Sequence, residues 1–352
     1  MGRRAVVVGG GIAGLACAAA LGHRGWDVSV WERDHAHRPE GTALGMWPAA
    51  QRALERLGVV DELRRVAVRQ GSFVLRSSTG RVLGGTDAER MERRAGLPTV
   101  LVARPTLLAT LNAAVPEGIV RFGAEIDDPS ALLADCDLLV GADGIRGVVR
   151  PAFFGDRTEV RYAGGVAWRG VAPIEVEGHG EIWGRRSLFG LTGISPGRTN
   201  WYATIRGPED APPPPDDLAH VRQFFGDWPD PVPQLLAAMD GETILRNRLY
   251  ELRPPLRSFV AGRVALVGDA AHAMPPNLGQ GACQALVDAV TLADSVGDGS
   301  DVPAGLRAYD RARRRPAQRV AAGAHLLSRV AQADRLATPR NALARLLLPR
   351  PR

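Results

Sequence analysis

The 352-residue chain is 45% hydrophobic and 23% charged, which supplies a large core and argues against disorder. Its formal charge of +6 comes from 44 basic residues, all of them arginine and spread from Arg3 to Arg352. Basicity distributed in this way is no nucleic-acid footprint, and nucleic-acid binding is not expected. Cys17, Cys136 and Cys283 lie far apart and form no CxxC pair. They argue against a disulfide framework, a metal site or a dithiol redox centre, and they fit a cytoplasmic location.

Residues 5–8 read as a buried strand, 12–24 as a helix and 27–31 as a second strand ending at Glu32, a βαβ start. Arg3 and Arg4 before a small apolar run imitate a secretory signal, but the glycines at 9, 10, 11 and 14 and the strand that follows favour the folded unit. No apolar stretch is long enough for an integral membrane segment. Residues 48–57 and 59–66 have helical spacing, 72–83 is β-like around Ser78-Thr79-Gly80, and 100–103 is a strand leading to a helix that begins at Pro105, whose missing N–H suits a first turn. Residues 137–140 form an apolar strand running into Gly141-Ala142-Asp143-Gly144. From 159 to 206 short strands alternate with Gly-rich turns and carry Trp168, Trp183, Phe189, Trp201 and Tyr202, the texture of an antiparallel sheet. After a polyproline connector at Pro212–Pro215 come a helix over 218–225 and a strand over 264–267. That strand ends at Gly268-Asp269, and a further helix starts near Gln280. A long helix spans 304–330 with a kink expected at Pro316.

Gly9-Gly10-Gly11-Ile12-Ala13-Gly14 is a GxGxxG at a strand-to-helix junction. Gly9 allows the tight turn, Gly11 the approach of backbone to a pyrophosphate and Gly14 the packing of helix on strand, while the helix N-terminus at Ile12 and Ala13 faces the anion. Glu32, followed by Arg33, stands where an acid accepts hydrogen bonds from a ribose. The ordered set of strand, glycines, helix, strand and acid points to a bound dinucleotide, without separating FAD from NAD.

Two further segments, DLLVGADGIRGVVR from Asp137 and GRVALVGDAAHAMPPNLGQGACQALVDAVTLAD from Gly262, complete a pattern with the N-terminal fingerprint. Together with VARPTLLATL around Arg104 and GTALGMWPAAQRALERLG, the chain resembles the para-hydroxybenzoate hydroxylase family of class A flavin monooxygenases over essentially its whole length. The resemblance implies bound FAD, with NAD(P)H as transient co-substrate. It implies that Asp143 and Gly144 lie near the pyrophosphate and the nicotinamide path, that Gly268-Asp269 holds the ribityl hydroxyls, and that Arg104 contacts FAD. It also implies that Pro275, Pro276, Gly279, Gln280 and Gly281 pass over the isoalloxazine, with Gly45 and Met46 on its other side. The competing role for Asp143 and Asp269 is to cap turns and helices. For His272 a core or turn role is favoured over catalysis. Gly147 and Val287 depart from the family pattern, which often has Ser and usually Glu there.

Trp168 and Arg169 should point to opposite faces of the sheet, as should Trp201 and Tyr202. Which face looks onto a substrate is open. Pro275, Pro276 and Arg169 are the candidate catalytic residues, Arg169 as an anchor for an acidic substrate or as a sheet-surface salt bridge. The implied fold is α/β: a Rossmann-like FAD-binding domain in segments 1–71, 99–157 and 253–300, an interleaved antiparallel β-rich substrate domain in 72–98 and 158–252, and a C-terminal helical region, 301–352, that leaves no room for an extra domain. The implied activity is hydroxylation or epoxidation of an electron-rich aromatic or conjugated small molecule by way of a flavin C4a-hydroperoxide, in a monomer or homodimer. The absence of lysine argues against a flavin halogenase. Alkene reduction, or a non-catalytic FAD-binding accessory role, are the alternatives.

Overall fold

The computed structural model describes residues 2–37, 41–155, 157–176, 179–240 and 244–349. Parts of the expected segments, residue 1, residues 177–178 in the expected sheet and 350–352 at the C-terminus, lie outside the described residues. Arg4–Val8 sits near the middle of a six-stranded sheet, between Leu138–Gly141 and Asp27–Glu32, all parallel. Val264–Leu266 pairs with Leu138–Gly141 and Val120–Phe122 with Asp27–Glu32, again in parallel, and Val260–Ala261 closes one edge antiparallel. Parallel strands covered on both faces need near-continuous apolar runs, as Ala5-Val6-Val7-Val8 and Leu138-Leu139-Val140 supply.

The helix Ile12–Gly22 is buried from Ala13 through Leu21. Its small side chains let it lie between the sheet and the helix Gly281–Val296. The helix Val302–Ala331 crosses the latter closely: a Cβ on Gly305 would stand 2.4 Å from the Ser295 carbonyl oxygen. It runs on through Pro316 with no break in its assignment, although the proline has no N–H to bond the preceding turn. The expected single closing helix is two, because a second helix, Ala337–Leu347, follows a short turn.

The second large sheet has seven strands in the order Leu245–Arg253, Glu159–Ala172, Arg198–Arg206, Ser187–Ser195, Gly180–Trp183, Phe73–Ser77 and Val82–Thr86. It is antiparallel except for one pair, Gly180–Trp183 with Phe73–Ser77. The chain between those strands passes through the other sheet, a crossover long enough to return a strand in the same direction, which a hairpin cannot do. Helix Asp217–Phe225 covers one face of this sheet over a core of Trp168, Phe189, Trp201 and Phe225. A third, three-stranded sheet joins Ala43–Met46, Val100–Ala103 and Val68–Arg69. The helix expected to begin at Pro105 starts one residue earlier, as Arg104–Ala113, with the proline in its first turn.

Candidate active site

A cavity of about 990 Å³ is lined by residues of all three sheets. At one end lies the glycine turn. Gly9 has φ +105°, and a Cβ there would stand 2.4 Å from the Ala142 carbonyl oxygen. A Cβ on Gly14 would meet the Gly9 carbonyl oxygen at 1.8 Å, whereas nothing lies within 4 Å of one on Gly11. Two glycines are therefore required by packing, and the third leaves backbone open to the cavity, as phosphate oxygens at a helix N-terminus require. Glu32 lines the same end and accepts hydrogen bonds from the amides of Gly10 at 2.6 Å and Asp34 at 2.9 Å. Its carboxylate braces the turn and keeps lone pairs for a ligand. Arg33 stands exposed beside it.

Asp143 uses its two carboxylate oxygens differently. Its Oδ2 accepts from the Val149 amide at 2.9 Å, capping the helix Val149–Phe154, while Oδ1 is buried without a partner among the described residues. Burial raises its carboxyl above the usual range, against the backbone amides and Arg150. Gly147, a departure from the family pattern, leaves room that the Asp143 carboxylate fills. A Cβ there would stand 2.0 Å from the Asp143 Cγ, so the carboxylate occupies the space that a serine would need.

Asp269 is exposed on the cavity wall, where the surrounding protein raises its carboxyl and His272 opposes the shift. Gly268, at φ +59°, does not line the cavity; it lets the strand end pass Ala13 and Ala285, whose Cβ atoms would lie 3.0 and 3.2 Å from one on the glycine. Beneath it is a buried cluster that the sequence did not reveal. Asp288 accepts from the Gly268 amide at 3.0 Å and from Arg313 Nε at 2.7 Å, and meets His272 Nε2 at 2.6 Å. Although burial pushes the Asp288 carboxyl up, His272 and Arg313 hold it below its ordinary value. His272 is a buried brace, and Val287 sits half-buried against the core. Pro275, Pro276, Gly279, Gln280 and Gly281 line the cavity at the start of the helix Gly281–Val296, as does Gly45. Met46 does not. It is 1% exposed and packs into the apolar core.

The far wall is the seven-stranded sheet, and its register settles which face looks inward. Leu75, Glu181, Gly190, Tyr202 and Arg169 are consecutive cross-strand partners in one row. All but Gly190 line the cavity. Trp168 and its neighbours point to the opposite face, where Trp168 Nε1 donates to Asp217 at 2.7 Å and Trp201 stacks on Phe189 at 5.7 Å. Gly190 carries the geometry: a Cβ there would lie 2.1 Å from Tyr202 Cζ, so the phenol leans across the bare strand and donates to Glu181 Oε1 at 2.7 Å. Trp183 Nε1 donates to the other oxygen at 2.8 Å. Burial raises the Glu181 carboxyl, and these two donors oppose the shift. Arg169 donates to Asn247 at 2.6 Å, and its buried Nε has no partner among the described residues. Burial, and then Arg104, lower its pKa. Glu181 and Tyr202 were missed as site residues because their meeting depends on a glycine one strand away.

This dinucleotide cradle, continuous with a pocket walled by a β-sheet, defines a flavoprotein of the para-hydroxybenzoate hydroxylase type. A family profile described as FAD binding domain matches residues 3–128 and 241–324, and the chain belongs to that family. It is 34% identical to aurachin C monooxygenase/isomerase of Stigmatella aurantiaca, over 94% of this chain and 90% of that protein. It is also 34% identical to the chloroplastic zeaxanthin epoxidase of Solanum lycopersicum, over 88% of this chain but 52% of that protein, and so spans about half of its length. The crystal structure of Klebsiella pneumoniae HpxO complexed with FAD and uric acid superposes with a TM-score of 0.88 at 26% identity, covering 98% of this chain and 93% of that one. The protein is an FAD-dependent enzyme of the monooxygenase class. No helix among the described residues is long and apolar enough to cross a membrane.

Proposed function

We propose that the protein uses NAD(P)H and dioxygen to insert one oxygen atom into an electron-rich aromatic or conjugated small molecule bearing an acidic hydroxyl. The observation that carries this reading is the continuity of the cavity from the Gly9–Gly14 turn to the row holding Glu181, Tyr202 and Arg169. FAD fits the first part by the chemistry on show: a turn that packing reserves for glycine, an unpartnered Asp143 oxygen, and an Asp269 carboxylate open to hydroxyl donors. Bound there, FAD would supply hydride acceptance and the activation of dioxygen.

The protein's own part divides along the cavity. The backbone of Gly9, Gly11 and Gly14 and the helix start at Ile12 and Ala13 hold the pyrophosphate, with Asp143 and Gly144 beside it. Glu32 and Arg33 take the adenosine end, and Asp269 and Arg104 the ribityl side. The amides of Gly279, Gln280 and Gly281 stand at a helix start, where backbone N–H groups would favour negative charge on the isoalloxazine of bound FAD. Gly45, Pro275 and Pro276 narrow the cavity and exclude water from it. At the sheet, Arg169 holds the electron-rich, partly anionic substrate. Tyr202 takes the hydroxyl proton of the substrate as its own proton passes to Glu181, which leaves the substrate more nucleophilic and the carboxylate neutral.

The reaction class is tested by turnover under isotopically labelled dioxygen after a substrate screen that monitors NAD(P)H oxidation. One heavy oxygen is expected in the product and none from labelled water. A product that is only reduced, or turnover without oxygen, overturns the reading.

A further inference from the structure

Of the eleven large apolar side chains exposed among the described residues, seven fall between residues 326 and 348: Leu326, Val330, Leu336, Leu343, Leu346, Leu347 and Leu348. Scattered surface leucines are ordinary, but a cluster confined to one stretch marks an interaction surface. On the helix Ala337–Leu347 and the residue before it, Leu336, Leu343 and Leu347 recur at helical spacing and form one exposed stripe. The flank next to this stripe is fixed to the protein. Arg340 donates to the carbonyls of Gly184 and Ala331 and lies over the Trp183 ring, and Ala337 is buried.

Beyond Asp334, which pairs with Arg186, the charge along the stripe is basic. Residues 335–352 contain five arginines and no acidic residue, and Arg335 and Arg345 are exposed on and beside the helix. We infer that this helix docks the protein on an anionic lipid bilayer, lying in the interface with its leucines among the acyl chains and its arginines at the headgroups. An apolar stripe flanked by arginine is the pattern of a helix that lies on a membrane. A second copy of the chain is a poorer partner, because a self-complementary contact centred on this helix brings the same arginines together. Leu327 and Leu348 also line the cavity, so the docked surface adjoins the cavity wall. Delivery of a membrane-dissolved substrate by that route rests on the proposed function; the docking does not.

The test is co-sedimentation of the FAD-loaded protein with vesicles of phosphatidylcholine alone and of phosphatidylcholine mixed with phosphatidylglycerol. Binding is expected to the mixed vesicles and to fall as salt rises. Arg345→Glu should weaken it at least about fivefold, the worth of one basic residue at an anionic surface, and Leu343→Asp with Leu347→Asp at least about tenfold. Retained flavin absorbance in these variants shows that they are folded, whether or not the enzyme turns over. Absence of binding to either vesicle overturns the inference, as does a concentration-dependent dimer that the leucine variants dissolve.

Discussion

Glu181 shows how one side chain sets chemistry through its surroundings. A carboxyl with a raised pKa holds its proton to higher pH than a surface glutamate, so the base form needed here is gained as pH rises through that elevated value. The rate of substrate hydroxylation should therefore climb with pH along an acid limb. Glu181→Gln should lower kcat about 10²- to 10⁴-fold and abolish that limb, while flavin reduction without substrate stays unchanged. Steady-state pH profiles beside stopped-flow reduction separate the two, and a limb that persists in the variant removes Glu181 from the proton path. Gly147 gives a second residue-scale expectation. Restoring the serine common in the family forces its Cβ onto the Asp143 carboxylate. Gly147→Ser should cost about 1–3 kcal/mol, the usual cost of overpacking, and should weaken FAD binding by displacing Asp143. Thermal unfolding and flavin titration read both effects, and a neutral substitution would mean that Asp143 has a second place to go.

Among the elements, those whose causes are local are the ones the sequence made legible. The βαβ start, the strand Val100–Ala103 and the helix Asp217–Phe225 follow from apolar runs, turn residues and the polyproline stretch before the helix. The helix Ala88–Ala95 escapes notice because it buries no residue, and Ala337–Leu347 reads only as part of a C-terminal helical region because its leucines are largely exposed rather than packed on a core. Cradle residues were readable because a phosphate turn demands glycine at fixed spacing. Met46 groups in sequence with its neighbour Gly45, which lines the cavity, but its side chain packs among core residues distant in sequence, which no local pattern announces. The Asp288 cluster links the strand end at Gly268, the helix Gly281–Val296 and the helix Val302–Ala331, which are distant in sequence. Breaking it through Arg313→Met leaves a buried carboxylate short of a partner and should cost about 3–5 kcal/mol. Its pH dependence has a definite sign. A folded-state pKa held below the unfolded value contributes stability that is present above the unfolded carboxylate pKa and is lost as pH falls through the folded one. Wild-type unfolding free energy should therefore fall below about pH 4, with a smaller slope in Asp288→Asn, as measured by urea denaturation across that range.

At the scale of the whole molecule, all three sheets contribute to the wall of the cavity, so a ligand that spans it ties them together. FAD present at about 100 times its Kd should add about 2.7 kcal/mol to the unfolding free energy, or several degrees in Tm for a chain of this size. Asp269 separates this linkage from intrinsic stability. Asp269 is exposed in the FAD-free protein, so solvent screens its raised carboxyl and removing it should leave the FAD-free Tm little changed or slightly higher. In the loaded protein the same carboxylate accepts hydroxyl hydrogen bonds, and losing bonds to an ionised acceptor costs about 1.5–3 kcal/mol, or roughly ten- to a hundredfold in Kd. Asp269→Ala should therefore unfold like or above the wild type without FAD, and show most of the FAD-dependent gain erased at the same cofactor concentration. His272→Ala should do the reverse: it lowers the FAD-free Tm by stripping a partner from Asp288, and its FAD-dependent gain survives. Thermal unfolding of both variants with and without FAD is a four-way comparison. If Asp269→Ala keeps the full gain, the ribityl contact lies elsewhere along the cavity wall.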